Sequence, residues 1–338
     1  MPKSVDICLT DTTWCGSIET DNTEETRLRN KSKISVKRWN YLAGLIDGDG
    51  SLGIHPHPHE QNYINYDVTL EVASTHLPTM KRLKQIFGGQ FYTTQDKRPN
   101  RKPNHHWYVS TSEHQLSILE KVTPLLKLKR VQGETLIQFL SLGGRSFHDQ
   151  NARKELADYV SYRNEFFVPV YRTHKYVDEV RADKADYQYF TGLVDAEGTI
   201  SLYESKRSFD PKIQLPNTDM RVFDFLLDRF GGSVSSSRRE HRELGNWVLP
   251  TRFLDSTLLN ILPYLVTKRE QAKLLLEWSR NRKNLSDEET RDIISKFRVL
   301  NHRGSVTTNT ATCPENGQMI ESDLAGDREC DSAVMLKS

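Results

Sequence analysis

Hydrophobic and polar positions along the 338-residue chain trace one pattern that runs twice. In the first run an apolar stretch, Tyr41-Leu42-Ala43-Gly44-Leu45-Ile46, ends in Asp47-Gly48-Asp49-Gly50. It reads as a helix starting near 35–37, with Ser35 in the capping position. Residues 51–57 then alternate with period two. Leu52 and Ile54 face one side; Ser51, Gly53, His55 and His57 face the other, the signature of a strand. A second strand over 66–73 completes a hairpin with its loop around 59–62. Next, Met80, Leu83 and Phe87 recur at helical spacing in a helix over 78–87 that stops at Gly88-Gly89. Strands over 90–95 and 105–110 flank a basic turn, and helices over 112–126, 131–142 and 149–164 close the run.

The second run repeats this order. Tyr189-Phe190-Thr191-Gly192-Leu193-Val194 ends in Asp195-Ala196-Glu197-Gly198. Thr199, Ser201 and Tyr203 alternate with Ile200 and Leu202, and a strand over 212–215 follows. Met220, Phe223, Leu226 and Phe230 form the amphipathic helix that stops at Gly231-Gly232, Trp247 answers Trp107, and Thr267-Lys268-Arg269 answers Leu128-Lys129-Arg130. Helices over 270–280 and 287–300 end the run. Equivalent positions lie 148 residues apart at Asp49 and Glu197, 143 at the glycine pairs and 139 at the lysines. That drift indicates loop insertions within one duplicated fold. The pattern predicts a mixed α/β (α+β) protein of two αββαββα halves, 34–165 and 185–302, with a linker over 166–184. Residues 1–33 and 303–338 are polar, lack apolar periodicity and read as disordered arms.

Small residues stand one turn apart in each apolar helix, Gly44 and Gly48 in the first, Gly192 and Ala196 in the second. Residues at i and i+4 share a helix face. Each helix therefore has a flat strip, and without bulky ridges two helices approach closely. The two copies are expected to pack on each other and bring Asp49 beside Glu197. Two carboxylates about 4 Å apart repel by roughly 4 kcal/mol at an effective dielectric of 20, and helix C-termini add negative charge. A proton or a cation must neutralise them. Hard oxygen donors suit Mg²⁺ or Ca²⁺, and Mg²⁺ prefers few protein ligands completed by water and phosphate.

Bulk properties narrow the picture further. No run of about 18 apolar residues exists, so no membrane span is expected, and the first 30 residues lack an apolar signal-peptide core. Cys8, Cys15, Cys313 and Cys330 lie only in the terminal arms, without zinc spacing, so a reduced intracellular setting is the default expectation. The net charge of +2 conceals an asymmetry. Residues 1–33 carry five Lys/Arg against six Asp/Glu and residues 303–338 three against six, leaving +6 on the body. A basic body is compatible with a polyanionic partner. His55-Pro56-His57-Pro58-His59 puts histidines on one strand face, but it has no cysteine or acid at zinc spacing. It reads as a stiffened segment on a binding face.

Residues 42–50 and 190–198 resemble the paired motifs of the LAGLIDADG homing endonucleases in their single-chain form. The first differs from the family's name only by Gly48 in place of Ala; the second is looser but ends Asp195-Ala196-Glu197-Gly198. The resemblance covers about 36–302. It implies two halves joined at the motif helices, with two sheets forming one saddle over double-stranded DNA. It also implies a monomeric, site-specific endonuclease that cuts a long asymmetric target and leaves 3′ overhangs. Asp49 and Glu197 would be metal ligands, with the backbone carbonyls of Gly48 and Ala196 completing the shell. Mg²⁺ would be the cofactor, Mn²⁺ a substitute, and Ca²⁺ would bind without supporting cleavage.

Lys129 and Lys268 stand where related enzymes carry a lysine that reaches the active-site water or phosphate. At the end of the second strand, where the family often places Gln or Asn to position water, Asn217 fits and Ser74 departs. Asp47 and Asp195, two residues from the acids on a helix, point elsewhere and serve capping or interface hydrogen bonds. DNA contacts are expected from Ser51, Gly53, His55, His57, Thr199, Ser201 and Tyr203 on the sheets. The basic turns add Lys97, Arg98, Arg101, Lys102, Lys206, Arg207, Arg238, Arg239 and Arg242. The alternative reading is an intron RNA maturase, or a non-cleaving DNA- or RNA-binding protein on the same scaffold.

Overall fold

The computed structural model describes residues 34–58, 64–95, 101–142, 150–165, 175–206, 208–239 and 242–301. The first half runs α1 (Val36–Asp49), β1 (Gly50–Pro58), β2 (Ile64–Ser74), α2 (Leu77–Phe87), β3 (Gln90–Thr94), β4 (Asn104–Tyr108), α3 (Ser112–Val122), α4 (Arg130–Ser141) and α5 (Gln150–Glu165). A short strand, β5 (Lys175–Val177), intervenes. The second half is α6 (Lys184–Ala196), β6 (Thr199–Glu204), β7 (Phe209–Asn217), α7 (Arg221–Phe230), β8 (Gly232–Arg239), β9 (Arg242–Val248), α8 (Leu254–Ile261), α9 (Arg269–Asn281) and α10 (Asp287–Leu300). The closing α of each predicted half is thus three helices. The arms, the 59–62 loop, Lys97, Arg98 and Arg207 lie outside the described residues.

Both sheets are antiparallel, in the orders β1-β2-β4-β3 and β5-β8-β9-β7-β6. Register carries the sequence alternation across each hairpin, pairing Leu52 with Leu70 and Ile54 with Val68, then Ile200 with Ile213. These side chains pack inward with Trp107 and Trp247, both fully buried. Each indole N–H donates to the carbonyl of the first glycine of its pair, Gly88 at 2.8 Å and Gly231 at 2.7 Å. The glycine pairs have φ of 74° and 77°, then 65° and 96°. Left-handed backbone strongly favours glycine, and it lets α2 and α7 stop and turn into the next strand.

Three expectations are refined. The stretch read as linker contributes β5, which pairs with β8 as a fifth strand. The helix over 112–126 ends at Val122 and tightens into a 3₁₀ turn, Thr123–Leu125, around Pro124, which has no N–H for a helical bond. Ser35 sits at the N-cap of α1, but its side chain makes no capping bond, whereas Asp183 and Asp186 form a capping box on α6. Among the described residues no helix is long and apolar enough to cross a membrane.

The axis of the fold is the contact between α1 and α6. A methyl group placed on Gly44 would strike the carbonyl oxygen of Tyr189 and lie 2.7 Å from the Leu193 nitrogen. One on Gly192 would strike the Tyr41 carbonyl oxygen and lie 2.9 Å from the Leu45 nitrogen. The two backbones therefore touch directly at these glycines, and the Asn40 amide donates across the seam to Gln188 Oε1 at 2.9 Å. Further along, a methyl on Gly48 would meet the Ala196 Cβ and come within 3.3 Å of Glu197 Cγ. The flat strips thus hold the two C-termini together, where the acids emerge.

Candidate active site

Asp49 is the last residue of α1, and Glu197 caps α6. Both are half-buried. The Asp49 carboxyl is pushed up from 3.8 to about 6, first by burial and second by the charge of Glu197, against the pull of Lys268 and Lys129. Folding thus raises the proton affinity of this group. The stability this brings is complete below about pH 4 and is lost as pH rises through about 6. For metal-free protein, the contribution is expected to fall by about 3 kcal/mol between pH 4 and pH 7. Urea unfolding across this range in chelator measures it, and Asp49→Asn should flatten that part of the profile.

The inner acids do different work. Asp47 accepts from the backbone N–H groups of Lys127 (2.6 Å), Leu128 (3.1 Å) and Lys129 (2.9 Å). Asp195 accepts from Val266 (2.7 Å) and Lys268 (2.9 Å). These N–H groups lead into α4 and α9, whose N-caps are Lys129 and Lys268, so each carboxylate sits where the helix dipole favours an anion. Each motif aspartate therefore caps a helix distant in sequence, which accounts for its burial. Burial raises the Asp47 carboxyl from its usual range, opposed by the hydrogen bonds it accepts.

The lysines return the interaction. The Lys129 ammonium donates to the carbonyl oxygens of Ile46 and Gly50, both at 2.8 Å, and of Asp47 at 3.1 Å, with Gly48 at 3.4 Å. Lys268 donates to Asp195 at 2.7 Å and approaches Ala196 at 3.5 Å. Both thus compensate the carbonyl ends of the motif helices, and the Gly48 and Ala196 carbonyls already face an ammonium. Burial lowers both lysines from their ordinary value, while Asp49 and Glu197 pull the other way.

A crevice of about 220 Å³ opens here, lined by Gly48, Lys129, Gln132, Arg163, Glu197, Asn217, Asp219 and Arg221 among others. Asn217 comes from the second half yet shares this space with Lys129 of the first. Its side chain accepts the Asp219 N–H at 2.8 Å, and Ser74 likewise accepts from the His76 N–H at 3.2 Å. The matched strand ends therefore make the same turn. Asp219 and Arg221, paired through the guanidinium at 2.9 Å and 3.1 Å, were not singled out from sequence. The matching first-half positions hold His76 and Pro78, so the duplication gives no signal for them.

Among the described residues no group of three or more His, Cys, Asp or Glu is arranged to hold a metal. The donor set is two carboxylates on adjoining helix ends, one of them raised by burial and by the charge of the other. That fits a hard divalent cation taking few protein ligands. His57 lies 3.2 Å from the Asp67 carboxylate instead.

The residues expected on the sheet faces differ in exposure. Ser51, His55, His57 and Tyr203 are exposed and Thr199 is half-buried. Gly53 is buried because the His55 ring folds back over it; a methyl there would lie 2.8 Å from His55 Nε2. Ser201 is only 4% exposed and lines a groove of about 580 Å³ with Ile294 and Phe297 of α10, so it is not an open contact. Arg101 and Lys206 are exposed and Lys102 half-buried. Arg238, Arg239 and Arg242 lie at the tip of the β8–β9 hairpin. Sequence reading missed a cluster on the first sheet. There His106 lies 2.5 Å from Glu71 and stacks on Tyr92 at 4.7 Å between centroids. The alternation of Glu71 with buried Leu70 and Val72 could have placed it on this face.

This fold is that of the LAGLIDADG homing endonucleases. I-GzeII, solved in complex with its DNA target, is 13% identical, with 78% of this chain and 98% of that chain aligned at a TM-score of 0.58. The meganuclease I-SmaMI, bound to uncleavable DNA, is 15% identical over 79% of this chain and 99% of that one, with a TM-score of 0.54. I-AabMI, bound to uncleaved DNA, is 14% identical over 78% and 97%, at 0.53. At such identities the likeness is one of fold. No protein-family model and no curated protein sequence matches the chain.

Proposed function

We propose that this protein is a monomeric, site-specific, double-strand DNA endonuclease that hydrolyses phosphodiester bonds with a divalent metal, Mg²⁺ foremost. The observation that carries this reading is the convergence of Asp49 and Glu197 on adjoining helix ends, each half adding a half-buried lysine. The structural neighbours in complex with DNA support it. Asp49 and Glu197 would hold the metal, with the Gly48 and Ala196 carbonyls beside them. When bound, the metal supplies an activated water and charge stabilisation on the phosphate and leaving oxygens. Lys129 and Lys268 place positive charge beside the acids, where charge develops on phosphate oxygens. Asn217, in the crevice, and Ser74, at the matched strand end of the other half, would orient water.

Two antiparallel sheets offer ribbons of a width that enters a major groove. Their outer faces differ. Glu71, Tyr92 and His106 mark the first, whereas the second has Tyr203 with Lys212 over its ring at 5.5 Å. Different faces favour an asymmetric target over a palindrome.

Selection of cleaved sites from a randomised DNA library with Mg²⁺ tests the proposal. The expected result is one long, non-palindromic consensus cut on both strands with 3′ overhangs, with Mn²⁺ replacing Mg²⁺ and Ca²⁺ giving binding only. Absence of cleavage together with tight gel-shift binding of structured intron RNA would replace this reading with the maturase one.

A further inference from the structure

Two buried tyrosines cross the seam between the halves. Tyr41 of α1 donates its hydroxyl to Asp195 at 2.8 Å, and Tyr189 of α6 donates to Asp47 at 2.7 Å. Both stand six positions before the aspartate of their own motif, yet each bonds the other motif's aspartate. Both side chains are almost wholly buried, and burial beside a carboxylate raises each phenol well above its usual range, so it stays a donor. Asp47 Oδ2 takes the Tyr189 hydroxyl and the Lys127 and Leu128 N–H groups, while Oδ1 takes the Lys129 N–H. Asp195 Oδ2 takes the Tyr41 hydroxyl and the Val266 N–H, while Oδ1 takes the Lys268 N–H. The turn that carries each lysine is thus fixed to an aspartate whose orientation is set by the opposite half.

We infer that Tyr41 and Tyr189 are positioning residues that make the placement of each active-site lysine depend on the other half, coupling the two strand cuts. The cross-connection runs from Tyr189 through Asp47 to Lys129, and from Tyr41 through Asp195 to Lys268. A carboxylate with three or four donors in fixed directions has one orientation. Without its tyrosine it keeps only the turn it is meant to hold, and turn and carboxylate can then shift together. The coupling in strand cleavage rests on the endonuclease reading, whereas the positioning itself does not.

The experiment has two arms on the full-length chain. In the first, amide hydrogen exchange is followed in metal-free protein. Tyr189→Phe is expected to speed exchange at Lys127, Leu128 and Lys129 by about tenfold, the scale of a lost hydrogen bond to a charged acceptor. Val266 and Lys268 should stay as in wild type, and Tyr41→Phe should do the reverse. In the second, each strand of the selected target carries its own label. Tyr189→Phe should slow the strand that Lys129→Met slows, Tyr41→Phe the strand that Lys268→Met slows, with DNA affinity unchanged and nicked product accumulating. Asp47→Asn, whose amide nitrogen cannot accept from the Lys127, Leu128 and Lys129 N–H groups, should slow the same strand as Tyr189→Phe and sets the upper limit of its effect. Exchange rising equally in both turns, or in neither, overturns the inference. So does equal slowing of both strands. A wild type that cuts no DNA while the exchange pattern holds overturns the endonuclease reading and leaves the positioning supported.

Discussion

Asp49→Asn is expected to abolish strand cleavage while leaving DNA affinity within a few-fold of wild type. The substitution removes one of two carboxylates that meet at the helix ends, and with it half the hard-oxygen charge available to a divalent cation. A loss of about 10³-fold or more in cleavage rate corresponds to about 4 kcal/mol of transition-state stabilisation. Binding should be spared because, in the proposed reading, sheet faces and basic turns rather than this carboxylate would meet bases and phosphates. Glu197→Gln should behave alike. The Asp49→Asn variant is also expected to unfold at higher denaturant than wild type at pH 8 without metal, because a repelled, half-buried charge has gone. Plasmid linearisation, gel shift and urea unfolding on the same preparation make the comparison. Linearisation at wild-type rate by either variant would remove the acid pair from the chemistry.

The largest effect on stability is expected at the seam. Gly44→Val should cost about 3 kcal/mol or more, because its side chain meets backbone of the facing helix and neither backbone can swing aside. The melting temperature should fall on the order of 10 °C. Gly192→Val should match it, since the contact is reciprocal. Gly53→Ala is the control. It meets only the tip of His55, an exposed ring free to rotate away, and should change stability by no more than about 0.5 kcal/mol. A seam substitution as mild as the control would mean that the halves do not close on these glycines.

The duplication made much of this architecture legible. Period-two strands, amphipathic helices and glycine stops are local signals, and each appeared twice. Asp49 and Glu197 were singled out because small residues one turn apart predict close helices, and Lys129 and Lys268 because matched lysines precede matched helices and stand where related enzymes carry one. What stayed hidden depends on contacts between distant segments. The three-residue β5 is too short to show alternation, and only the open edge of β8 makes it a strand. Ser201 alternates correctly but is covered by α10, which lies some ninety residues further along the chain. Nothing local shows that the lysines turn to helix carbonyls, or that Asp219 and Arg221 of one half line the crevice beside the lysine of the other. The crossed tyrosines had a signal, their matched place in both motifs, but their partners lie 154 and 142 residues away.

The strand β5 fixes where this chain can be divided. Its register against β8 pairs Lys175 with Val234 and Val177 with Gly232, and a methyl on Gly231 would lie 2.6 Å from the carbonyl oxygens of Val177 and Glu179. Residues from Lys175 onward therefore belong to the second sheet. For chimaeras that recombine halves to build new recognition sequences, the crossover belongs upstream of Lys175. A donor half grafted from α6 onward would leave its sheet with one raw edge, and the recipient carrying a strand with nothing to pair against.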